Sequence, residues 1–335
     1  MGVAIDFLGV GKYVAATLET NAEVAARLGI SEDEIVAKSG VRQRFIAIGE
    51  TASQMGLSAL RDALADAGLE ATQLDAVIVA TFSGDYTYPN TASNLCRHLG
   101  ISDCAAFDVQ ANCAGFQVGL ATARAMLLSD PDMRHIAVVG VAKQSPFLDP
   151  NDVNTAFFFS DAASAAILGR VEGEGGLMKT FYLTNGRNYE VVRLRAGGSA
   201  YPLSQDMLDR QPDTRFYEHA GLAVWREVIV AMPKLIKQAL AGIGWTREDI
   251  DLVLMHQANL RLIEFILSRL GLSLEDTVTN IEEIGNTADA SLGTVIHDAM
   301  RQKRLEPGMK VMLASVGAGF VYAVTPYLVP GGARS

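Results

Sequence analysis

The sequence predicts a layered α/β protein built from two pseudo-equivalent halves. Three observations carry this: a recurring helix–Gly–strand unit, an order in which strands alternate with helices, and a composition able to fill a large core. Ala63-Leu64-Ala65-Asp66-Ala67-Gly68 superposes on Ala239-Leu240-Ala241-Gly242-Ile243-Gly244 at a displacement of 176 residues. The same displacement carries Leu74-Asp75-Ala76-Val77-Ile78-Val79 onto Ile250-Asp251-Leu252-Val253-Leu254-Met255 without a gap. Each copy reads as helix, glycine stop, acidic turn and apolar strand. Leu99-Gly100-Ile101-Ser102 then matches Leu270-Gly271-Leu272-Ser273 at a displacement of 171, as one loop deletion would produce. A third strand, Ile136 to Val141 against Lys310 to Ser315, completes the series. Such units also recur by chance in α/β proteins, but consecutive matches in one order favour duplication. Alternating strands and helices imply parallel pairing with helices packed on the sheet faces.

The expected organisation is an N-terminal half over 1–171, a connector or cap over 172–214, and a C-terminal half over 215–335. The middle stretch is set apart by Gly-Glu-Gly-Gly, Ala-Gly-Gly-Ser and Gln-Pro-Asp-Thr, with little sustained periodicity.

With 335 residues, 49% hydrophobic and 20% charged, the chain can bury a large core and is neither disordered nor fibrous. Its apolar runs are far shorter than the ~18 residues of a membrane span, and the N-terminus lacks a basic region followed by an apolar one. A cytoplasmic location is expected. The net charge of −10 argues against a broad nucleic-acid surface. The three cysteines, Cys96, Cys104 and Cys113, show no CxxC spacing and suit a reducing compartment.

Cys113 falls between the strand Ala105 to Val109 and a buried helix, Gly115 to Leu128. A thiol at a helix N-terminus feels the positive end of the macrodipole, which favours the nucleophilic thiolate. Small neighbours Ala111, Ala114 and Gly115 leave room for substrate. The alternative, a structural buried cysteine, suits Cys96 and Cys104 better. His256 follows the strand Leu252 to Met255 and so lies at a strand's C-terminal edge, where α/β ligands bind. Asn286 follows the strand-like Thr277 to Ile281 and precedes a helix beginning near Asp289. At the displacement of 171, Cys113 maps to position 284, so Asn286 holds nearly the equivalent place. A lone histidine or a turn asparagine needs no function, but three candidates at equivalent junctions point to one site. Gly317-Ala318-Gly319 ends the strand matching the one after Cys113, and its N–H groups could reach a thioester oxygen.

At these residues the chain resembles the ketoacyl-acyl-carrier-protein synthase III family of the thiolase superfamily. The likeness lies in Asn112-Cys113-Ala114-Gly115-Phe116, His256-Gln257-Ala258-Asn259-Leu260-Arg261, Gly285-Asn286-Thr287 and Gly317-Ala318-Gly319-Phe320. Ser39-Gly40-Val41-Arg42 and Asp161-Ala162-Ala163-Ser164-Ala165-Ala166 extend it over nearly the whole chain.

The resemblance implies the layered αβαβα thiolase fold with two pseudo-duplicated halves. Cys113 would take an acyl group from a thioester, with the Cys113 and Gly319 N–H groups as oxyanion hole. His256 and Asn286 would hydrogen-bond the second thioester carbonyl and stabilise the enolate formed on decarboxylation. Tyr88, Phe116, Asn259, Arg261 and Gly317 are the implied substrate contacts. Acyl carrier protein would dock at Arg261, with Lys234, Lys237 and Arg269 able to extend the patch, although Lys234 and Lys237 read better as ordinary solvated helix charges. A homodimer is implied, with Tyr88 reaching the partner's acyl pocket. No metal or redox cofactor is required, only pantetheine-linked substrates, on carrier protein or coenzyme A.

Three departures bear on the donor. Family members that take a coenzyme A primer carry Trp where this chain has Glu34, Arg where it has Lys38, and Arg where it has Val153. The family's Gly-Asn-Thr-Ser-Ala-Ala-Ser becomes Gly285-Asn286-Thr287-Ala288-Asp289-Ala290-Ser291, and a helix cap is the expected role of Asp289, ahead of a substrate contact. These changes resemble secondary-metabolism members. The first alternative is a relative that joins two ketoacyl thioesters into a dialkylresorcinol, pyrone or quinolone precursor, or that moves acyl groups to oxygen or nitrogen acceptors, and the retained Asn286 favours carbon–carbon bond formation. A non-catalytic partner subunit is the alternative of another class, and the intact Cys113, His256 and Asn286 weigh against it.

Overall fold

The computed structural model describes residues 3–331. Its first sheet has five strands in the order Val3–Val14, Ala162–Glu172, His135–Ala142, Ala76–Ala80, Ala105–Val109. Ala76–Ala80 runs parallel to both His135–Ala142 and Ala105–Val109. The second sheet is built on Leu252–Met255, Lys310–Gly317 and Val321–Leu328, the first two parallel.

The second half repeats the central strands of the first, although Ala105–Val109 has no strand counterpart there. Ala76–Ala80 pairs in parallel with His135–Ala142, as Leu252–Met255 does with Lys310–Gly317. Face assignments repeat too, because successive strand residues point to opposite faces. Ile78 and its counterpart Leu254 face the core between the sheets. Val77 and Val79 face an outer helix layer, and so do Val253 and Met255. Strands buried on both faces read as continuous apolar runs, which is why these segments lack alternation.

Five layers result. The helices Gly115–Ser129 and Ser291–Arg301 fill the middle, with Phe116, Leu120, Leu292 and Ile296 in the shared core. Ala52–Ala67 and Thr91–Leu99 cover the first sheet. Gly221–Ile243 and Leu260–Arg269 cover the second. This is the αβαβα arrangement.

Two local expectations differ from the structure. Thr277 to Ile281 is not a strand: Val253 and Thr277 form one isolated parallel bridge, and Ile281–Ile284 is a helical turn. The Thr277 hydroxyl donates to the Val253 carbonyl at 2.6 Å and holds the segment as a loop. The stretch 172–214 is not only a connector. Its Gly176–Leu177 and Phe181–Thr184 add strands to the second sheet against Val321–Leu328, with too few residues to show periodicity in sequence.

Candidate active site

Cys113 sits in a single 3-10 turn, Asn112–Ala114, directly ahead of the central helix Gly115–Ser129. That helix start has no side-chain cap and no acidic residue in its first turn, so its positive end is uncompensated. The turn is locked to the other half of the molecule. The Asn112 side-chain amide donates to the Ala318 carbonyl at 3.0 Å. Gly317 packs so closely that a Cβ there would meet the Ala111 carbonyl oxygen at 2.1 Å, which makes glycine obligatory. Gly319, at φ 133°, also holds a backbone conformation that other residues rarely adopt.

His256 extends the parallel ladder by one bond, its N–H donating to the Ala314 carbonyl at 2.9 Å. Gln257 then fixes the turn: its N–H donates to Ser291 Oγ at 2.7 Å, its side-chain amide donates to the Met255 carbonyl at 2.8 Å, and its Oε1 accepts the Asn280 N–H at 3.2 Å. The His256 ring is buried and its Nδ1 has no partner. Burial pushes its pKa down to about 3, so the imidazole is neutral at physiological pH.

Asn286 is held at its backbone and at its side chain. Its N–H donates to the Phe158 carbonyl at 2.7 Å, and its carbonyl accepts from Ser160 N–H and Gln144 Nε2 at 2.9 and 2.7 Å. Its Oδ1 accepts the Ala288 N–H at 2.9 Å, which turns Nδ2 toward the Ala258 carbonyl, 3.4 Å away in the loop that carries His256. The turn 288–290 packs on the Cys113 turn. The three junctions therefore converge.

Other predicted contacts lie elsewhere. Phe116 is in the core, with its ring edge against Gly140 and Gly293. Asn259 is spent as an N-cap, accepting from the Arg261 and Leu262 N–H groups while donating to the Lys38 carbonyl at 2.8 Å. Arg261 pairs with Glu264 at 2.9 Å and donates to the Ala37 carbonyl at 3.2 Å, at the end of the helix Glu32–Ser39. Tyr88 stands on a loop, 85% exposed, beside the equally prominent Tyr86.

Asp289 is not a helix cap. It lies inside the turn Ala288–Ala290, and neither that turn nor the following helix has a side-chain cap. It is fully buried, and neither carboxyl oxygen has a hydrogen-bond partner. Burial holds its pKa well above the carboxylate range. Burial first, and then the adjacent Asp289, push the Cys113 thiol up as well. Both groups thus keep their protons at neutral pH. Tyr217 and His219, on the short strand Tyr217–His219, complete the surroundings: Tyr217 packs on Phe82, Phe147 and Phe159, and His219 on Phe158 and Phe159. No motif marks either residue, and their strand is only three residues long in an irregular stretch.

A protonated buried carboxyl is a stability cost that grows with pH. The unfolded chain ionises near pH ~4 while the folded chain holds its proton, so stability falls as pH climbs from there toward the raised folded pKa. Asp289→Ala, restoring the residue the family pattern has there, should stabilise the protein by about 1–3 kcal/mol at pH 7 and by less at pH 4.5. Melting temperatures at both pH values check this; a variant no more stable at pH 7 than the parent would contradict it.

This five-layer scaffold is the thiolase fold, an architecture of acyl-transferring condensing enzymes. Comparison with known proteins agrees. Two family models match: 3-oxoacyl-[acyl-carrier-protein] synthase III over residues 107–186, and the C-terminal model of the same enzyme over 240–327. The beta-ketoacyl-[acyl-carrier-protein] synthase III of Sodalis glossinidius is 33% identical over 316 residues, covering 94% of this chain and 96% of its own. The crystal structure of 3-oxoacyl-(acyl carrier protein) synthase III from Pseudomonas aeruginosa superposes with a TM-score of 0.89 at 30% identity, covering 98% of each chain. The priming beta-ketosynthase of the R1128 polyketide pathway does so with a TM-score of 0.89 at 28% identity, covering 98% of this chain and 96% of its own. The chain belongs to the 3-oxoacyl-[acyl-carrier-protein] synthase III family.

Proposed function

We propose that this chain joins two pantetheine-linked acyl thioesters by a carbon–carbon bond, with Cys113 as acyl carrier and His256 and Asn286 as activators of the second thioester. The convergence of the turns that carry Cys113, His256 and Asn286 is the observation that carries this reading. Cys113 Sγ attacks the first thioester carbonyl, the bond to the departing sulfur breaks, and the thiol proton leaves with that sulfur. The Cys113 and Gly319 N–H groups receive the oxyanion, with Gly317 setting the turn. His256 and Asn286 then donate to the carbonyl of the second thioester. Loss of carbon dioxide from a malonyl group leaves an enolate held by those donors; its carbon attacks the acyl-cysteine carbonyl, the bond to Cys113 Sγ breaks, and the freed thiolate takes up a proton from solvent. A neutral imidazole suits this work, because it polarises a carbonyl without giving up a charge to the dry site. Neither step calls for a metal or redox group. Intact-protein mass spectrometry with acyl thioesters on coenzyme A and on carrier protein tests the reading: a gain of one acyl mass supports it, and no gain from either donor contradicts it.

Carrier protein is the preferred donor. Lys38 is ion-paired with Glu34 at 2.7 Å, and the exposed Val153 offers only apolar surface, so little remains to grip an adenine nucleotide. Arg261 is similarly engaged by Glu264. Lys234, Lys237 and Arg269 form no ion pair among the described residues, and they line a groove of about 540 Å³ floored by Ile229, Pro233 and Phe265. Free cations around an apolar floor suit the acidic surface of a carrier protein, and this groove supports docking better than Arg261 alone. Lys234→Glu combined with Arg269→Glu should slow loading from carrier protein about tenfold at low salt and flatten its salt dependence. Loading from an N-acetylcysteamine thioester should be unchanged; equal slowing of both would contradict a docking role.

The likeness to a polyketide priming synthase, together with the altered nucleotide positions, favours a task in secondary metabolism. The exposed Tyr86 and Tyr88 support a homodimer in which Tyr88 enters the partner's acyl pocket. Light scattering at micromolar concentration should return twice the chain mass, and a monomer would contradict this. Three free thiols, two of them facing each other at 3.4 Å in Cys96 and Cys104, fit the cytoplasm. Among the described residues, no helix is long and apolar enough to cross a membrane.

A further inference from the structure

Asp289 and Tyr217 are buried polar groups beside Cys113 that the condensation chemistry leaves unused. Both Asp289 carboxyl oxygens and the Tyr217 hydroxyl lack hydrogen-bond partners. Asp289 Oδ1 lies over the first residue of the central helix, where a Cβ on Gly115 would come within 2.6 Å of it. The Tyr217 ring is enclosed by Phe82, Phe147 and Phe159, at centroid distances of 6.1, 6.2 and 5.6 Å. Phe82, against which the Tyr217 ring packs, lies just after Ala80, whose Cβ faces the same Gly115 position as Asp289 Oδ1. Phe159, on which the Tyr217 ring packs, bridges Asn286 at the start of the Asp289 turn, and that turn packs on the Cys113 turn, so Tyr217 stands beside both. The buried carboxyl of Asp161 is by contrast occupied by the N–H groups of Ala47, Gln144 and Ser145 and by the Ser145 hydroxyl.

A polar group left bare in an aromatic wall costs free energy, and two of them together cost more. The cost is recovered when a ligand supplies the missing partner. A protonated carboxyl and a phenol can each both donate and accept, which matches a hydroxyl. Their closeness to Cys113 limits the reach to the first carbons of whatever that sulfur holds. We propose that the acyl group carried on Cys113 bears a hydroxyl on its second or third carbon, and that Asp289 and Tyr217 hydrogen-bond that hydroxyl. This rests on Cys113 as acyl carrier. It makes Asp289 and Tyr217 specificity residues, and it would make the upstream reaction one that delivers a hydroxyacyl rather than a plain acyl thioester.

The test is the rate of acyl-mass gain on the full chain, using N-acetylcysteamine thioesters of butyrate, 2-hydroxybutyrate and 3-hydroxybutyrate. These differ only by one hydroxyl and bypass carrier docking. At least one hydroxyacyl group should load tenfold or more faster than butyryl, the factor expected from pairing a buried polar group. Asp289→Ala and Tyr217→Phe should each pull that ratio below about threefold. A merely structural residue would slow all three substrates together. Butyryl loading as fast as both hydroxyacyl groups would overturn the proposal, as would a ratio that survives in whichever variant folds. In either case butyryl on Cys113 leaves the acyl-carrier assignment standing; no loading by any of the three, with carrier-bound thioesters equally inert, sinks both.

Discussion

Cys113→Ala is expected to lose acyl uptake by at least ~10³-fold, from every donor, while keeping the fold. The thiol is the only group proposed to bond the acyl carbon, so its loss cannot be offset by neighbours that merely polarise. The fold should survive because the turn is fixed by backbone packing on Gly317 and by the Asn112 amide on Ala318, neither of which involves the thiol. Removing the sulfur also takes away a half-buried thiol whose ionisation the site resists. Acyl transfer followed by mass, beside a melting curve, separates the two effects. Undiminished labelling of Cys113→Ala would end the nucleophile assignment.

His256→Ala and Asn286→Ala should behave differently: each loads the first acyl group within a few fold of the parent, then condenses about 10²–10³-fold more slowly. The proposed donors act on the second thioester, so only the second half-reaction depends on them. Because both address one carbonyl, the double variant should lose less than the product of the single losses. The Asn286 side chain is turned toward the His256 loop by its own Oδ1 bond to Ala288 N–H, so Asn286→Asp, which keeps that acceptor but removes the donor, should resemble the alanine variant. Condensation rates measured on pre-loaded enzyme give the answer. Slow loading with normal condensation would reverse the assignment.

The parts of the molecule legible in sequence are those where one physical signal dominates. The copied helix–Gly–strand unit marked corresponding strands in both halves, and those strands, at Val77 and Val253, are sandwiched identically. Cys113 and His256 follow strands where the periodicity put them, whereas Asn286 follows a helical turn, Ile281–Ile284, and not the expected strand. Other features depend on contacts distant in sequence. Thr277 resembles a strand residue but is drawn into a loop by one hydroxyl bond to Val253. Asp289 has the residue type and position of a helix cap, yet the turn buries it against Gly115. Asn259 matches a substrate-contact position and Arg261 a docking position in the family motif, but their polar groups are taken by Lys38, Ala37 and Glu264. Tyr217 and His219 carry no local signal, because a three-residue strand has no period to read.

The most direct test of the central claim is a pulse and chase on the unmodified chain, with the site of attachment mapped by peptide mass. The account predicts that an acyl thioester adds one acyl mass to the peptide containing Cys113. That mass should persist until a malonyl thioester is added, and then disappear as the ketoacyl product forms. An acyl group found on another residue, or condensation that proceeds with Cys113 never acylated, would contradict it.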